Sequence, residues 1–241
     1  MLRKVQRSEL ELWVSPPRLN TYAQRTADSR VVDEYAWAVE LNAAFMELIC
    51  HVEVLLRNVV HRELTARHVS PTGTPWFDDP QYVALNNNAR RSIQKARNRI
   101  TRGGYPATAD RVVAGLSFDF WRFLFVNAHQ IDVWNRVRHG LLGLPGSRRS
   151  TNHFAIFEDA VERVYELRNR VAHHEPLRLD LALQKHEDVL LLAGYIDPRA
   201  QAWLDSISRV GPVLASRPGF PPPPMTSLAA HARRKRRDQQ Q

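Results

Sequence analysis

A short polar motif, residues 167–176, carries the residue types in this chain that could do chemistry. It reads Leu-Arg-Asn-Arg-Val-Ala-His-His-Glu-Pro, and the final proline predicts that a helix ends just before it. Arg168 could hold a phosphate oxygen through parallel hydrogen bonds, and His173 or His174 could move a proton near neutral pH. These side chains would suffice to cleave a phosphodiester without a metal.

The spacing of the motif residues decides which of them could act together. Residues four apart share a helix face, so the amide of Asn169 could hydrogen-bond the imidazole of His173 and fix its tautomer. Arg168 and His173 are five apart, about 140° around an ideal helix, so they do not face the same point. They would converge if the helix unwound before Pro176, or if a second subunit supplied its copy across a twofold axis.

RNA is the phosphodiester whose own 2′-hydroxyl lies beside the phosphate. A histidine base could take the proton of that hydroxyl, a second acid could protonate the leaving 5′-oxygen, and an arginine could stabilise the charge on the phosphate. The sequence shows no compact Asp and Glu cluster of the kind that two-metal nucleases use, so we expect no metal and no other cofactor. The same residue types are also ordinary at a helix C-terminus, where cations complement the helix dipole.

Helical periodicity surrounds the motif, and no segment alternates convincingly like a strand. A predicted helix from Asp33 to Arg67 has apolar residues at every third or fourth position, and Cys50 is expected in its core. The motif helix begins near residue 151, and its periodicity gives an apolar residue the place that Arg168 occupies. The other predicted helices are residues 87–101, 106–114, 131–142, 180–195 and 198–210. The pattern predicts an all-α fold.

Composition limits the class of protein. With 241 residues and a hydrophobic fraction of 44%, the chain can bury a full core. Its single cysteine excludes an internal disulfide and a cysteine-based zinc site. There is no apolar run of about 18 residues to span a membrane. Residues 1–8 lack the apolar segment of a signal peptide, so we expect no membrane contact and a cytoplasmic location.

Charge is unevenly distributed along the chain. The formal net charge is +9, and six basic residues with one acid give +5 to residues 211–241 alone. That segment also contains four consecutive prolines, a composition that cannot form a core. We therefore predict one all-helical domain over residues 1–210 and a disordered, proline-rich and basic tail over residues 211–241. The tail would add affinity for nucleic acid or serve only as a solubilising extension.

A basic helix is the candidate RNA-binding element. The segment 87–101 carries several cations and no acid, which suits phosphate binding and equally a solvated cationic face. Glu53, Arg57 and His61 share one face of the earlier helix, and their simplest interpretation is a surface ion pair. Arg57 and Asn58 could nevertheless line the same cleft as the motif. The candidate RNA-binding residues are Arg57, Asn58, Arg90, Arg91, Lys95, Arg97 and Arg99.

The motif resembles the signature of the HEPN superfamily. Arg168-x4-His173 has the form Arg-x4–6-His, and Asn169 is the polar residue often found directly after the arginine. The longer string over residues 168–176 resembles the Abi-like branch, which is linked to abortive infection in bacteria. His174 belongs to that longer string.

Two further segments support the resemblance to the Abi-like branch. Residues 53–60 are similar to its N-terminal helix, and residues 116–121 are similar to its central aromatic segment. Asp119 stands where a glycine is expected, a departure that does not touch the proposed site. With the motif, these segments follow in the expected order, and the resemblance spans about residues 37–210.

The resemblance implies an all-α HEPN-type bundle with additional helices, and a homodimer whose motifs meet at the interface. It implies a metal-independent endoribonuclease that acts in phage defence or as a toxin, with RNA as substrate and an antitoxin or phage-derived trigger as a further partner. Arg168 and His173 match the catalytic positions, Asn169 matches the polar helper, and His174 would assist. Some HEPN domains are inactive, so the alternative is a non-catalytic RNA-binding, protein-binding or dimerisation module. Nucleotide binding by the same arginines is a third hypothesis.

Overall fold

The computed structural model describes residues 5–145 and 152–220, and every regular element in them is helical, which confirms the predicted all-α fold. The α-helices are α1 (Arg7–Val14), α2 (Pro16–Ala23), α3 (Val31–Arg67), α4 (Asn87–Arg102), α5 (Ala109–Ala114), α6 (Phe118–Phe123), α7 (Asn135–Val137), α8 (Asn152–Ala172), α9 (Ala182–Ile196), α10 (Pro198–Ile207) and α11 (Val210–Ala215). Within these ranges, no helix is both long and apolar enough to cross a membrane.

The chain divides into two compact units, each built from segments that are distant in sequence. Unit 1 takes the described residues of Met1–Glu47, Asn169–His186 and Ser208–Gln241, and unit 2 those of Leu48–Arg168 and Glu187–Ile207. The sequence predicts one domain over residues 1–210, without this grouping. Because the division falls directly after Arg168, Leu167 and Arg168 belong to unit 2 and motif residues 169–176 belong to unit 1.

Unit 1 begins with two short helices. Pro16 and Pro17 occupy the first positions of α2, where a missing N–H leaves no helical hydrogen bond unmade. Leu10 of α1, Leu19 of α2 and Val31 of α3 form a buried apolar cluster. This cluster fixes the short helices against the beginning of α3.

The segment from Val210 to Phe220 packs into unit 1. The indole Nε1 of Trp37 donates to the carbonyl of Val213 at 2.7 Å. Glu34 is 0% exposed, and one of its carboxylate oxygens lies 2.8 Å from a guanidinium nitrogen of Arg217. The guanidinium of Arg217 also lies 5.4 Å from the ring centroid of Trp37.

The predicted beginning of the tail at residue 211 is therefore wrong. α11 covers Val210–Ala215, and the packed segment continues to residue 220. Pro212 misled the prediction because proline is tolerated in the first turn of a helix, where it lies here. The rest of the predicted tail, residues 221–241, lies outside the described residues.

Unit 2 buries the aromatic segment around α6. Phe118, Phe120 and Trp121 are buried, and Phe125 packs edge-on against Phe157 of α8 at 4.9 Å between ring centroids. A single helix is predicted over residues 131–142. The structure instead has a short π-helix at Gln130–Trp134, then α7, then a 3₁₀-helix at Arg138–Gly140.

The buried side of α8 corrects the predicted place of Arg168. Leu167 is 2% exposed and takes the apolar position, while Arg168 is half-buried beside it. The sequence pattern allows either Leu167 or Arg168 at the buried position, because steps of three and of four residues both approximate the helical period of 3.6. The buried apolar residues of α8 are Phe154, Phe157, Ala160, Val161, Val164, Leu167 and Val171.

Candidate functional site

α8 ends in a turn that holds a histidine in the left-handed conformation. His174 has φ of 55°, a region that residues with a Cβ rarely adopt. The N–H of Glu175 donates to the carbonyl of Arg170 at 2.9 Å, and the N–H of His174 donates to the carbonyl of Val171 at 3.0 Å. These two bonds form a Schellman motif, in which glycine usually takes the place of His174. An imidazole thus stands where the backbone alone would favour glycine.

Side chains from the N-terminal part of unit 1 donate to the carbonyl groups that follow α8. The donor and acceptor pairs are Arg18 with His174, Asn42 with Glu175 at 3.4 Å, and Arg25 with Leu177 at 3.1 Å. Arg18 lies in α2, Arg25 just after it, and Asn42 in α3. These donors satisfy carbonyls of the turn and loop beyond α8, and they fix the path of the chain around and after the two histidines.

Both imidazoles of the turn face solvent. His173 and His174 are exposed, whereas Asn169, one turn earlier, is half-buried. The N–H of His173 donates to the carbonyl of Asn169 at 2.9 Å, so helical hydrogen bonding continues through His173. Unwinding before Pro176, the first of the two alternatives by which Arg168 and His173 could converge, is therefore not seen up to His173.

Arg168 acts electrostatically on two side chains of α3, both in unit 2. Burial raises the pKa of the Glu53 carboxyl, and the charges of Arg168 and Arg57 oppose this shift, as does the backbone N–H of Phe118. The pKa of the Cys50 thiol is raised as well, because the surrounding protein partly desolvates this exposed residue and the charge of Glu53 adds to the increase, while Arg168 opposes it. The surroundings of Arg168 thus contain a half-buried carboxyl group whose charge it compensates.

Cys50 is exposed, which corrects the prediction that it lies in the core. Its neighbour Ile49 is fully buried, and Val52 is too, so the apolar face of α3 lies beside Cys50 and not on it. A broad apolar stretch marks a buried helix but does not identify the residue at its edge.

Arg57 and Arg99 converge from different helices on the end of α5. Arg57 donates to the carbonyl of Ala114 at 3.3 Å, and Arg99 donates to the carbonyl of Gly115. Carbonyl groups at a helix C-terminus favour nearby cations. Arg57 also lies 3.4 Å from the side-chain oxygen of Asn58, so the predicted accessory pair is in contact.

The cations predicted to bind RNA along α4 divide into two groups. Those engaged within the fold are Arg90 with the carbonyl of Leu85 at 3.0 Å, Arg97 with Asp78, and Arg99 with Gly115. Arg91 and Lys95 are exposed on the solvent side of the helix, as is Arg102, a further cation at its end that was not among the predicted residues. The engaged arginines anchor α4, and the exposed cations remain accessible to a ligand.

His61 has partners on both sides of its ring. Trp76 Nε1 donates to its Nδ1 at 3.0 Å, and its Nε2 lies 3.4 Å from a carboxylate oxygen of Asp110. These contacts hold the ring of His61 in place within unit 2. The ion pair predicted for the face that His61 shares with Glu53 and Arg57 stays a prediction. Over the described residues, no group of three or more His, Cys, Asp and Glu side chains could hold a metal ion.

The sequence alone predicts no role for Arg18 or Asn42, and it predicts that Glu53 takes part in a surface ion pair. The contacts of Arg18 and Asn42 join residues more than a hundred positions apart, so no local pattern could reveal them. The signal available for Glu53 was its spacing of four residues from Arg57 and eight from His61, which places it on the same face of α3. The chain matches no family model, no curated protein and no solved structure.

Proposed function

We propose that this chain is a metal-independent endoribonuclease of the HEPN type, acting in phage defence or as a toxin. The observation that carries the proposal is the end of α8, where His173 and His174 are exposed in a turn that a glycine would form with less strain. Strained backbone that presents ionisable side chains to solvent is typical of functional sites. RNA is the proposed substrate because its 2′-hydroxyl supplies the nucleophile.

In the proposed reaction, the 2′-oxygen forms a bond to phosphorus while the bond from phosphorus to the 5′-oxygen breaks. His173 accepts the proton of the 2′-hydroxyl, and a second imidazole, from His174 or from another copy of His173, protonates the leaving 5′-oxygen. Arg168 stabilises the charge on the non-bridging oxygens. The products are a 2′,3′-cyclic phosphate and a 5′-hydroxyl.

The surroundings of Arg168 and His173 support these roles. Glu53 lies within electrostatic reach of Arg168, which favours a fixed orientation of the guanidinium. Asn169 precedes His173 by one turn, the spacing at which an amide can orient an imidazole. Arg18 donates to the backbone of His174 and so limits movement of the turn.

Two copies of the chain would complete the site. Arg168 and His173 are about 140° apart around α8, so a second copy across a twofold axis would supply the missing group. Cys50, the chain's single cysteine, is exposed near Arg168 and serves as a probe. We expect a dimer by light scattering and a covalent dimer after bismaleimide treatment, absent in Cys50→Ser. A monomer that cleaves RNA at full rate contradicts the composite site.

The decisive experiment incubates purified chain with labelled single-stranded RNA in excess chelator. We expect products that end in a 2′,3′-cyclic phosphate. His173→Ala and Arg168→Ala should each lower the cleavage rate by about 100-fold or more. The matched control is His139→Ala, which removes an exposed histidine outside the motif. Equal cleavage by wild type and His173→Ala, in nuclease-free preparations, overturns the proposal.

A growth experiment tests the role in defence. Expression of wild-type chain in bacteria should arrest growth, and His173→Ala should relieve the arrest at equal protein level. An antitoxin or phage-derived trigger would be the partner that restrains or releases the activity. Continued growth of cells that contain active wild-type enzyme would show that the ribonuclease is not a toxin by itself.

The compensation of Glu53 by Arg168 also favours a second candidate, a non-catalytic HEPN-fold module that binds RNA or protein or holds a dimer together. Here Arg168 is structural. RNA that is retarded but intact after incubation in chelator favours this module, and Arg168→Ala should then lower stability more than it lowers RNA affinity.

A further inference from the structure

α4 presents a stripe of cations on the surface of unit 2. Arg91, Lys95 and Arg102 recur at spacings of four and seven residues and so share one face of the helix. The stripe is about 16 Å long. α4 contains no acidic residue, so no carboxylate on the helix itself neutralises the stripe.

The packing of α4 directs this stripe to solvent. Ala89, Ile93 and Ala96 are buried on the other side of the helix. The N-terminus is capped by Asn86, whose side-chain oxygen accepts from the N–H of Ala89 at 2.9 Å. The helix is thus fixed at its beginning and along its apolar side, and its cations are held in a row.

An exposed aromatic ring follows the stripe. Tyr105 is 61% exposed, although its backbone N–H donates to the carbonyl of Ile100 at 3.2 Å and holds the residue in place. The guanidinium of Arg111 lies 5.2 Å from the Tyr105 ring centroid and donates to the carbonyl of Pro106 at 3.1 Å. A positioned ring with a cation beside it is therefore available to a ligand.

A series of arginines leads from this surface to the surroundings of Arg168. Arg99 of α4 and Arg57 of α3 bind the adjacent carbonyls of Gly115 and Ala114 at the end of α5. Arg57 and Arg168 both act on the carboxyl group of Glu53. All these residues belong to unit 2.

We propose that the α4 track, defined as Arg91, Lys95, Arg102, Tyr105 and Arg111, binds single-stranded RNA as the substrate of the site at Arg168. This inference rests on the proposed function for the identity of the ligand. Cations in a row contact successive phosphates, and an exposed ring stacks with an unpaired base. A duplex keeps its bases stacked on each other, so it could use the cations but not the ring.

The test for the ring is binding of fluorescent RNA to the full chain by anisotropy, with His173→Ala in every protein to prevent cleavage. The probes are oligouridine and oligoadenine of about 12 nucleotides, the length range of small single-strand sites, and a duplex of equal length. Tyr105→Ala should weaken single-strand binding by about tenfold, with little effect on the duplex. Tyr105→Phe, which keeps the ring, should bind like the parent.

The test for the cations uses single charge removals. Arg91→Gln and Lys95→Gln should each weaken binding and reduce the slope of log affinity against log salt by about 0.7. The matched control is Arg199→Gln on α10, an equal charge loss at a side chain that is 84% exposed. Its affinity and its salt slope should remain those of the parent.

Equal affinity for duplex and single strand, or no effect of Tyr105→Ala on binding, overturns the track. Binding of anionic lipid vesicles in place of RNA, with the same dependence on Lys95, also overturns it. The two proposals fail separately. Tyr105-dependent binding without cleavage by wild-type protein refutes only the nuclease, and cleavage whose KM is unchanged by Tyr105→Ala and Lys95→Gln refutes only the track.

Discussion

His174 occupies a backbone conformation that glycine adopts without steric cost. Replacing it with glycine should therefore raise the free energy of unfolding by about 1 kcal/mol. His174→Ala keeps a Cβ at the same φ and should give no such gain, which makes it the matched control. Urea denaturation at neutral pH measures both. A glycine variant no more stable than the alanine variant would show that the turn is not strained.

His129 predicts how stability depends on pH. It is 5% exposed, its ring lies 4.7 Å from that of Phe123, and its Nδ1 makes no hydrogen bond to any described residue. Burial lowers its pKa from the usual 6.5, and Asp132 opposes the shift. The unfolded chain therefore binds a proton at a pH where the folded chain does not. The contribution of neutral His129 to the free energy of unfolding is present in full above the pKa that His129 has in the unfolded chain. It is lost as the pH falls from there through the lower pKa that His129 has in the folded chain.

The measurement is the free energy of unfolding at about pH 7.5 and about pH 5.5. Wild type should lose stability between these values, and His129→Leu should lose less because its side chain does not titrate. His139→Gln, at an exposed histidine, should retain the wild-type difference. An unchanged difference in His129→Leu would assign the pH dependence to other groups.

At the scale of elements, α9 is joined to the loop that follows α7. The N–H groups of Leu142 and Gly143 donate to the carbonyls of Ile196 and Tyr195 at 3.0 and 3.2 Å. A Cβ built on Gly143 would lie 1.8 Å from the carbonyl oxygen of Gly194. Atoms cannot approach this closely, so only glycine permits the contact.

Gly143→Ala should lower the free energy of unfolding by about 3 kcal/mol or more, because backbone must move to admit the methyl group. The matched control is Gly211→Ala in α11, where a Cβ would meet nothing within 4 Å. This control should be neutral or gain about 0.5 kcal/mol from reduced freedom of the unfolded chain. The measurement is thermal and urea unfolding of both variants. Equal stability of the two variants would refute the close approach of Gly143 to the carbonyl of Gly194.

At the scale of the whole molecule, the chain closes unit 1 with residues that its composition assigns to a tail. Arg217→Ala would leave the buried carboxylate of Glu34 without its cation, so we expect a loss of about 3–5 kcal/mol. Arg209→Ala breaks an exposed pair with Glu47 and should cost about 1 kcal/mol or less. Similar small losses in both variants would place the end of the fold before Arg217.

The sequence by itself determined the helical class, most helix positions and the motif. α3, α4 and α10 lie close to their predicted ranges because a period of 3.6 residues is a local property of the chain. Pro176 and the turn residues before it marked the end of α8 for the same reason.

Only the tertiary structure decided which side chains of these helices meet a partner. Steps of three or four residues could not choose between Leu167 and Arg168 for the buried position, and Cys50 lies at the edge of a face that the pattern could not delimit. Arg18 reaches the carbonyl of His174, and Arg217 reaches Glu34, across most of the chain. Such pairings depend on how helices pack, and local periodicity carries no information about that.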